Sequence, residues 1–322
     1  MSSHGLVSHW DDVRTWRGER GHIAGTWRNL TGRASQTVGV KRIEIDAGMW
    51  STPLHLEGAE EEIFYVLGGS GVSVQSEGEG TFGYEVRAGD CLVHLALDNA
   101  HTLQAGDDGL DVLAFGQRTY APGATWLPRA GVAWLGETWA PVGAEEDHPW
   151  TREAAAGPPE IAEVSPRPSN IVHVDDVEPA ERDGATVGRR IRRLSKAAGG
   201  QWTGLSLSEV LPGKLNNPPH CHSAEEEIFV ILDGAGHLLL WEPDGVVEHP
   251  VRRGSVVTRP PGTGVAHAFR AGDEPLSVLM YGTREPHDIC FYPRSGRLAL
   301  SGLGMIARIE RERSVDYWDD ED

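Results

Sequence analysis

The chain has 322 residues, the length of about two domains, and its 24% charged and 39% hydrophobic residues exclude wholesale disorder. A formal charge of −19 repels phosphate backbones and anionic lipid, so neither nucleic acid nor a membrane surface is expected as a partner. No apolar run reaches the ~18–20 residues of a membrane span. No basic, apolar leader follows Met1, and three scattered cysteines form no disulfide framework, so a reducing cytoplasm is expected.

In chain order, His9-Trp-Asp-Asp-Val13 comes first, then a partly alternating strand, Gly39–Ile45. His55-Leu-Glu-Gly-Ala-Glu-Glu-Glu62 leads into an apolar run of strand length, Ile63–Leu67. Turns then recur every 8 to 12 residues past Gly89 and His101 to Phe115-Gly-Gln-Arg118 and Pro128-Arg-Ala-Gly131. From Ala140 to Asn170 the chain is polar, proline-stiffened and aperiodic, which is linker composition with only weak helical candidates.

The series then begins again. His173-Val-Asp-Asp-Val177, Gly204–Val210, His220 to Glu227, Ile228–Leu232, Leu238–Trp241, Gly254, His267, Tyr281 to Arg284 and Pro293 to Gly296 follow in order, and the landmarks with a counterpart in the first series sit 164 to 166 residues after it. Such constant spacing means two copies of one domain. The expected organisation is a domain over residues 1–145, a linker over 146–168 and a second domain over 169–322. Short strands between Gly- and Pro-rich turns (Gly 40, Pro 20) predict an all-β fold, a sandwich or barrel in each half. The run Glu227–Leu232 is apolar on both faces after its first residue. Its outer face therefore needs a cover: the sister domain, a terminal arm or a second subunit, the last being the ground for a homodimer.

The chemistry-bearing residues fall at matched positions. His220 and His222, two apart after Pro218-Pro219, share one face of an extended strand. Glu227 heads the next strand, and His267 follows the turn Pro260-Pro-Gly-Thr-Gly264. Three imidazoles and a carboxylate held on strands suit a divalent transition metal with open positions; zinc, manganese, iron, nickel and cobalt are all compatible. In the first copy His55, Glu62 and His101 keep their places, but Glu57 stands where His222 does, giving an oxygen-richer set. Leu95-Ala-Leu97 also replaces the proline turn there.

These motifs resemble those of the cupins, small jelly-roll barrels. Gly213, His220, His222, Glu227 and Gly234 follow the family's first motif with one extra residue after Gly213. Gly254, Pro260, Gly262 and His267 follow the second, with two extra residues before His267 and Ala271 in place of an Asn. Two copies resemble a bicupin, most similar to bacterial bicupins of unsettled function. The resemblance implies two tandem jelly-roll barrels with metal at His220, His222, Glu227 and His267, and a second site at His55, Glu57, Glu62 and His101. Bicupins with such ligands include dioxygenases, decarboxylases and isomerases. The functional expectation is a metalloenzyme for a small organic substrate, its principal site in the second barrel. The alternatives are a barrel that captures a sugar-like ligand without turnover and a purely structural role for the metal. No catalytic base is identified.

Four further features carry expectations. Glu60-Glu61 and Glu225-Glu226 read as exposed turn charges, and His94 as an ordinary strand histidine. Cys221 reads as packed on the face opposite the ligands. Arg189-Arg-Ile-Arg-Arg193 reads as a solvated face offset by nearby acids, and the acidic tail Asp316–Asp322 as a disordered end with two aromatics.

Overall fold

The computed structural model describes residues 7–32, 35, 37–77, 80–117, 124–135, 138–139, 148–161 and 164–308. Two β-barrels account for nearly all of it. In the N-terminal barrel the main sheet runs, in hydrogen-bonded order, Ile171–His173, Asp90–His94, Glu62–Glu77, His101–Gln117, Val38–Ile45, Ile23–Asn29 and Thr15–Arg20, with Gly80–Arg87 paired to Glu62–Glu77. In the C-terminal barrel it runs Val7–His9, Ser255–Arg259, Glu227–Asp233, Leu276–Thr283, Thr203–Val210, Gly188–Arg192 and Ala180–Asp183. Opposite it lies the sheet of Gly245–Arg252, Ala235–Glu242 and Ala266–Ala271. A small sheet caps each site: Leu56–Glu57 with Ala124–Leu127 and Val132–Leu135 in one half, Cys221–His222 with Ile289–Tyr292 and Arg297–Leu300 in the other. No helix of the described residues is long and apolar enough to cross a membrane. The tail Asp316–Asp322 and Glu145-Glu146-Asp147 lie outside the described residues.

The barrels exchange short arms. Val7–His9 pairs antiparallel with Ser255–Val257 of the C-terminal barrel, and Ile171–His173 pairs with Asp90–Leu92 of the N-terminal one. The next residue of each arm bonds a glycine: Trp10 N–H to Gly254 O at 2.9 Å and Val174 N–H to Gly89 O at 3.0 Å. A Cβ on Gly254 would come within 2.5 Å of the Trp10 indole and 2.6 Å of the His9 ring, so the arm seats only against glycine. The repeated His-x-Asp-Asp signature thus marks two reciprocal straps. The described part of the linker is no free tether either. It forms the helix Pro149–Ala155, and Arg167 pairs with buried Asp90 at 2.7 Å.

The doubly apolar strands are covered within the chain. Phe229 and Ile231 face the C-terminal barrel's own core, while Ile228 and Val230 join Ile63, Tyr65, Val40 and Phe115 of the other barrel in one shared cluster. Phe115 and Tyr281, counterparts in the repeat, meet there with ring centroids 5.0 Å apart. The sister barrel is therefore the cover, and the strand pattern no longer calls for a second subunit.

Glu61 and Glu226 are not exposed turn charges. Both are fully buried. Glu61 accepts the backbone N–H groups of Gln201 and Thr203 at 2.8 and 2.9 Å and the Thr203 hydroxyl. Glu226 accepts the N–H and hydroxyl of Thr37 at 2.7 and 2.6 Å. Each carboxylate crosses to the opposite barrel. Charge alone suggested solvent, but charge-assisted bonds from several donors make burial tolerable. Glu60 and Glu225 are half-buried. Two arginines of the run meet acids as expected, Arg190 on Glu181 and Arg192 on Glu209, each at 3.0 Å, whereas Arg189 is half-buried and donates to Asn217.

Candidate metal centres

In the C-terminal barrel the backbone brings distant ligands together by register. His220 and His267 form an antiparallel bridge, His267 N–H donating to His220 O at 2.8 Å. Glu227 enters from the main sheet opposite Arg259 and Gly282, and His222 enters from the cap opposite Cys290. The Nε2 atoms of His267, His222 and His220 lie 3.1, 3.5 and 3.9 Å from Glu227 Oε2. His220, Glu227 and His267 thus form one compact group, and His222 stands at its edge, 3.5 Å from Glu227.

The rings are aimed. His220 Nδ1 lies 2.9 Å from Pro218 O, which can only accept, so Nδ1 carries the proton and Nε2 presents its lone pair. His222 Nδ1 is held at 2.7 Å by Asp288, a buried carboxylate that also accepts the N–H groups of Ala224 and Glu225. Burial opposes the charge on Asp288, but these bonds hold its carboxyl down, at about 2. Burial likewise opposes a charged His222, yet Glu227 and Asp288 lift it to about 11, while burial takes His267 down to about 4. Three imidazoles hold Glu227 well below the usual carboxylate range despite its burial.

The donor set fits a cation. Glu227 Oε2 and His267 Nε2 are buried without a hydrogen bond, the 3.1 Å contact between them lacking hydrogen-bond geometry. Such orphaned atoms are costly unless something fills the point they face. The free space beside them is small, about 10 Å³, roughly the room of one water. His220, His222 and Cys290 form a second overlapping group, and His222, Glu225 and Asp288 a third. Cys221 is buried, as expected, but it lines the same small cavity as His222, Glu227 and His267 instead of lying apart from the ligands.

The N-terminal site repeats the bridge, now His55 with His101. Glu62 Oε2 lies 3.2 Å from His55 Nε2 and 3.0 Å from His101 Nε2, so these three form a compact group. Glu57 turns towards them at 3.8 Å from His55, but its carboxylate is drawn aside by the Thr125 hydroxyl at 3.0 and 3.1 Å. His94 stacks on His101 with centroids 3.7 Å apart, and its Nε2 is buried without a partner. It is part of the site's wall, more than the ordinary strand histidine expected. Burial keeps it neutral. Unlike its counterpart, this site opens into a pocket of about 1120 Å³.

Sequence reasoning missed Asp288, Arg259 and Cys290. Asp288 follows a loop with no counterpart motif, so nothing local marks it. Arg259 was findable: it stands where His94 does, opposite the ligand glutamate in both barrels.

Residues 206–282 match the Cupin domain family. The comparison with curated proteins finds no match. Among solved structures, a formate complex of oxalate decarboxylase from Lactobacillus farciminis superposes with a TM-score of 0.61 at 20% identity, over 87% of this chain and 86% of that one. Oxalate decarboxylase from Bacillus subtilis, whose Mn(II) centres have been studied, gives 0.61 at 18% identity, over 88% and 78%. At these identities the likeness is one of fold.

Proposed function

We propose that the chain is a bicupin, a reading supported by the Cupin domain match over residues 206–282 and the two-barrel fold likeness, and that it is a metal-dependent enzyme acting on a small organic substrate. Its principal metal would be held by His220, His222, Glu227 and His267, and a second by His55, Glu62 and His101 with Glu57 in reserve. The observation that carries this reading is the buried, hydrogen-bond-free pair Glu227 Oε2 and His267 Nε2, faced by two further imidazoles whose far nitrogens are already tied. A divalent ion held there would supply a Lewis acid able to polarise a substrate oxygen or activate water. The chain's own part is positional. Pro218 O and Asp288 fix the tautomer and aim of His220 and His222. Phe229, whose ring lies 5.4 Å from that of His267, makes the wall dry. Decarboxylation is the reaction that the two-barrel relatives of like fold bring to the front among the three candidate classes.

A second reading, capture of a small ligand without turnover, is favoured by the size of the N-terminal pocket. The experiment that separates the two begins with full-length chain expressed with manganese, iron or zinc. Metal content is measured first, then carbon dioxide release and oxygen uptake on a panel of small carboxylic acids. Bound metal with turnover supports the enzyme. Bound metal with tight stoichiometric ligand and no product supports capture. A chain that takes up no divalent metal overturns the metal-dependent reading.

A further inference from the structure

The two barrels differ most in the space they leave. Beside the C-terminal ligands there is room for about one water, whereas the N-terminal barrel holds a pocket of about 1120 Å³. Its mouth is a tryptophan cluster. Trp16 and Trp27 lie 4.8 Å apart, and Trp150, from the linker helix, lies 6.0 and 5.9 Å from them. Trp16 is 54% exposed although it stands beside a buried partner. Leaving a large apolar ring in water is costly, and here it rims a cavity. The floor is polar, with His55, Glu57 and Glu62.

We propose that this N-terminal pocket binds a polyhydroxylated ring, a monosaccharide or a close derivative. The chemistry of the lining selects that class. A pyranose presents a C–H face that stacks on indole and an edge of hydroxyls that donate to carboxylates. The tryptophan mouth and the carboxylate floor meet both requirements at once. A plain aromatic hydrocarbon would satisfy the mouth but offer no further donor to the floor carboxylates, which Thr125, His55 and His101 engage only in part. A simple anion has little to choose it, because four basic and four acidic side chains line the pocket and cancel. The pocket stands on the N-terminal barrel alone and does not require a metal at His222.

The test is saturation-transfer NMR on the full chain with glucose, mannose, galactose and glucuronate, each at millimolar concentration. The expected result is transfer to the ring protons of at least one sugar, saturable and weakened at least tenfold in both Trp16→Ala and Glu57→Gln. His222→Ala should leave it unchanged, which separates this site from the C-terminal metal. Circular dichroism confirms that the variants fold, and exposed Trp16 is the safer of the two. No transfer to any of the four sugars overturns the proposal. So does transfer that persists in both variants, or transfer to benzoate with none to the sugars.

Discussion

The Glu61 carboxylate, fully buried in the N-terminal half, accepts both the backbone N–H and the hydroxyl of Thr203 in the C-terminal half. Glu226 and Thr37 repeat this contact in the opposite direction. Two acids that immediately precede the ligand strands therefore tie the barrels together. Removing such an acceptor leaves buried donors unpaired, at about 1–3 kcal/mol each net of relaxation. We expect Glu61→Ala to lower unfolding stability by about 2–4 kcal/mol. The exposed control Asp107→Ala should stay within about 0.5 kcal/mol. Urea unfolding followed by circular dichroism measures both, and equal effects would remove the latch.

The arm exchange makes a second prediction. Gly254 has φ +86°, and a Cβ there would strike His9 and Trp10. Gly254→Ala should destabilise the chain by about 2 kcal/mol or more, combining left-handed strain with the clash. Deleting residues 1–10 beforehand should remove the clash component, carried by His9 and Trp10, and leave the conformational part. Strictly additive effects in the double variant would mean that the arm is not seated there.

Asp288 touches His222 and none of the other three ligands among its hydrogen bonds. Asp288→Asn should therefore keep the C-terminal metal site but weaken it, by roughly 10- to 100-fold. His222→Ala should cost far more. A competition titration against a chelator of known affinity gives the ratio. Unchanged affinity in Asp288→Asn would show that ring aim is set elsewhere.

Protons and metal compete for the same lone pairs. In the metal-free chain Glu227 and Asp288 keep His222 protonated through neutral pH, since its pKa is lifted to about 11. Loading the metal must expel that proton, so apparent affinity should rise with pH across the neutral range and protons should be released on binding. Weakly buffered solution with a pH indicator reads the release. Binding with no proton released would place His222 outside the ligand set.

Much of this was legible in the sequence. Strand repetition at near-constant spacing marks two copies, and the motif positions mark His220, His222, Glu227 and His267. What escaped notice was long-range and local chemistry gave no hint of it. Glu61 reads as a turn charge because its donors lie about 140 residues away in sequence. Asp288 lies beyond both motifs, and its value comes only from the cap sheet that brings Cys290 beside His222. The unequal room in the two barrels is likewise invisible in residue patterns, because Trp16, Trp27 and Trp150 come from three separate segments.

The most direct measurement is anomalous diffraction from crystals of the full chain grown with manganese. The account predicts a peak within about 2.0–2.4 Å of the Nε2 atoms of His220, His222 and His267 and of a Glu227 oxygen, metal–ligand distances for a hard or borderline divalent ion. A C-terminal barrel with no peak at that point, in crystals soaked to saturation, would contradict it.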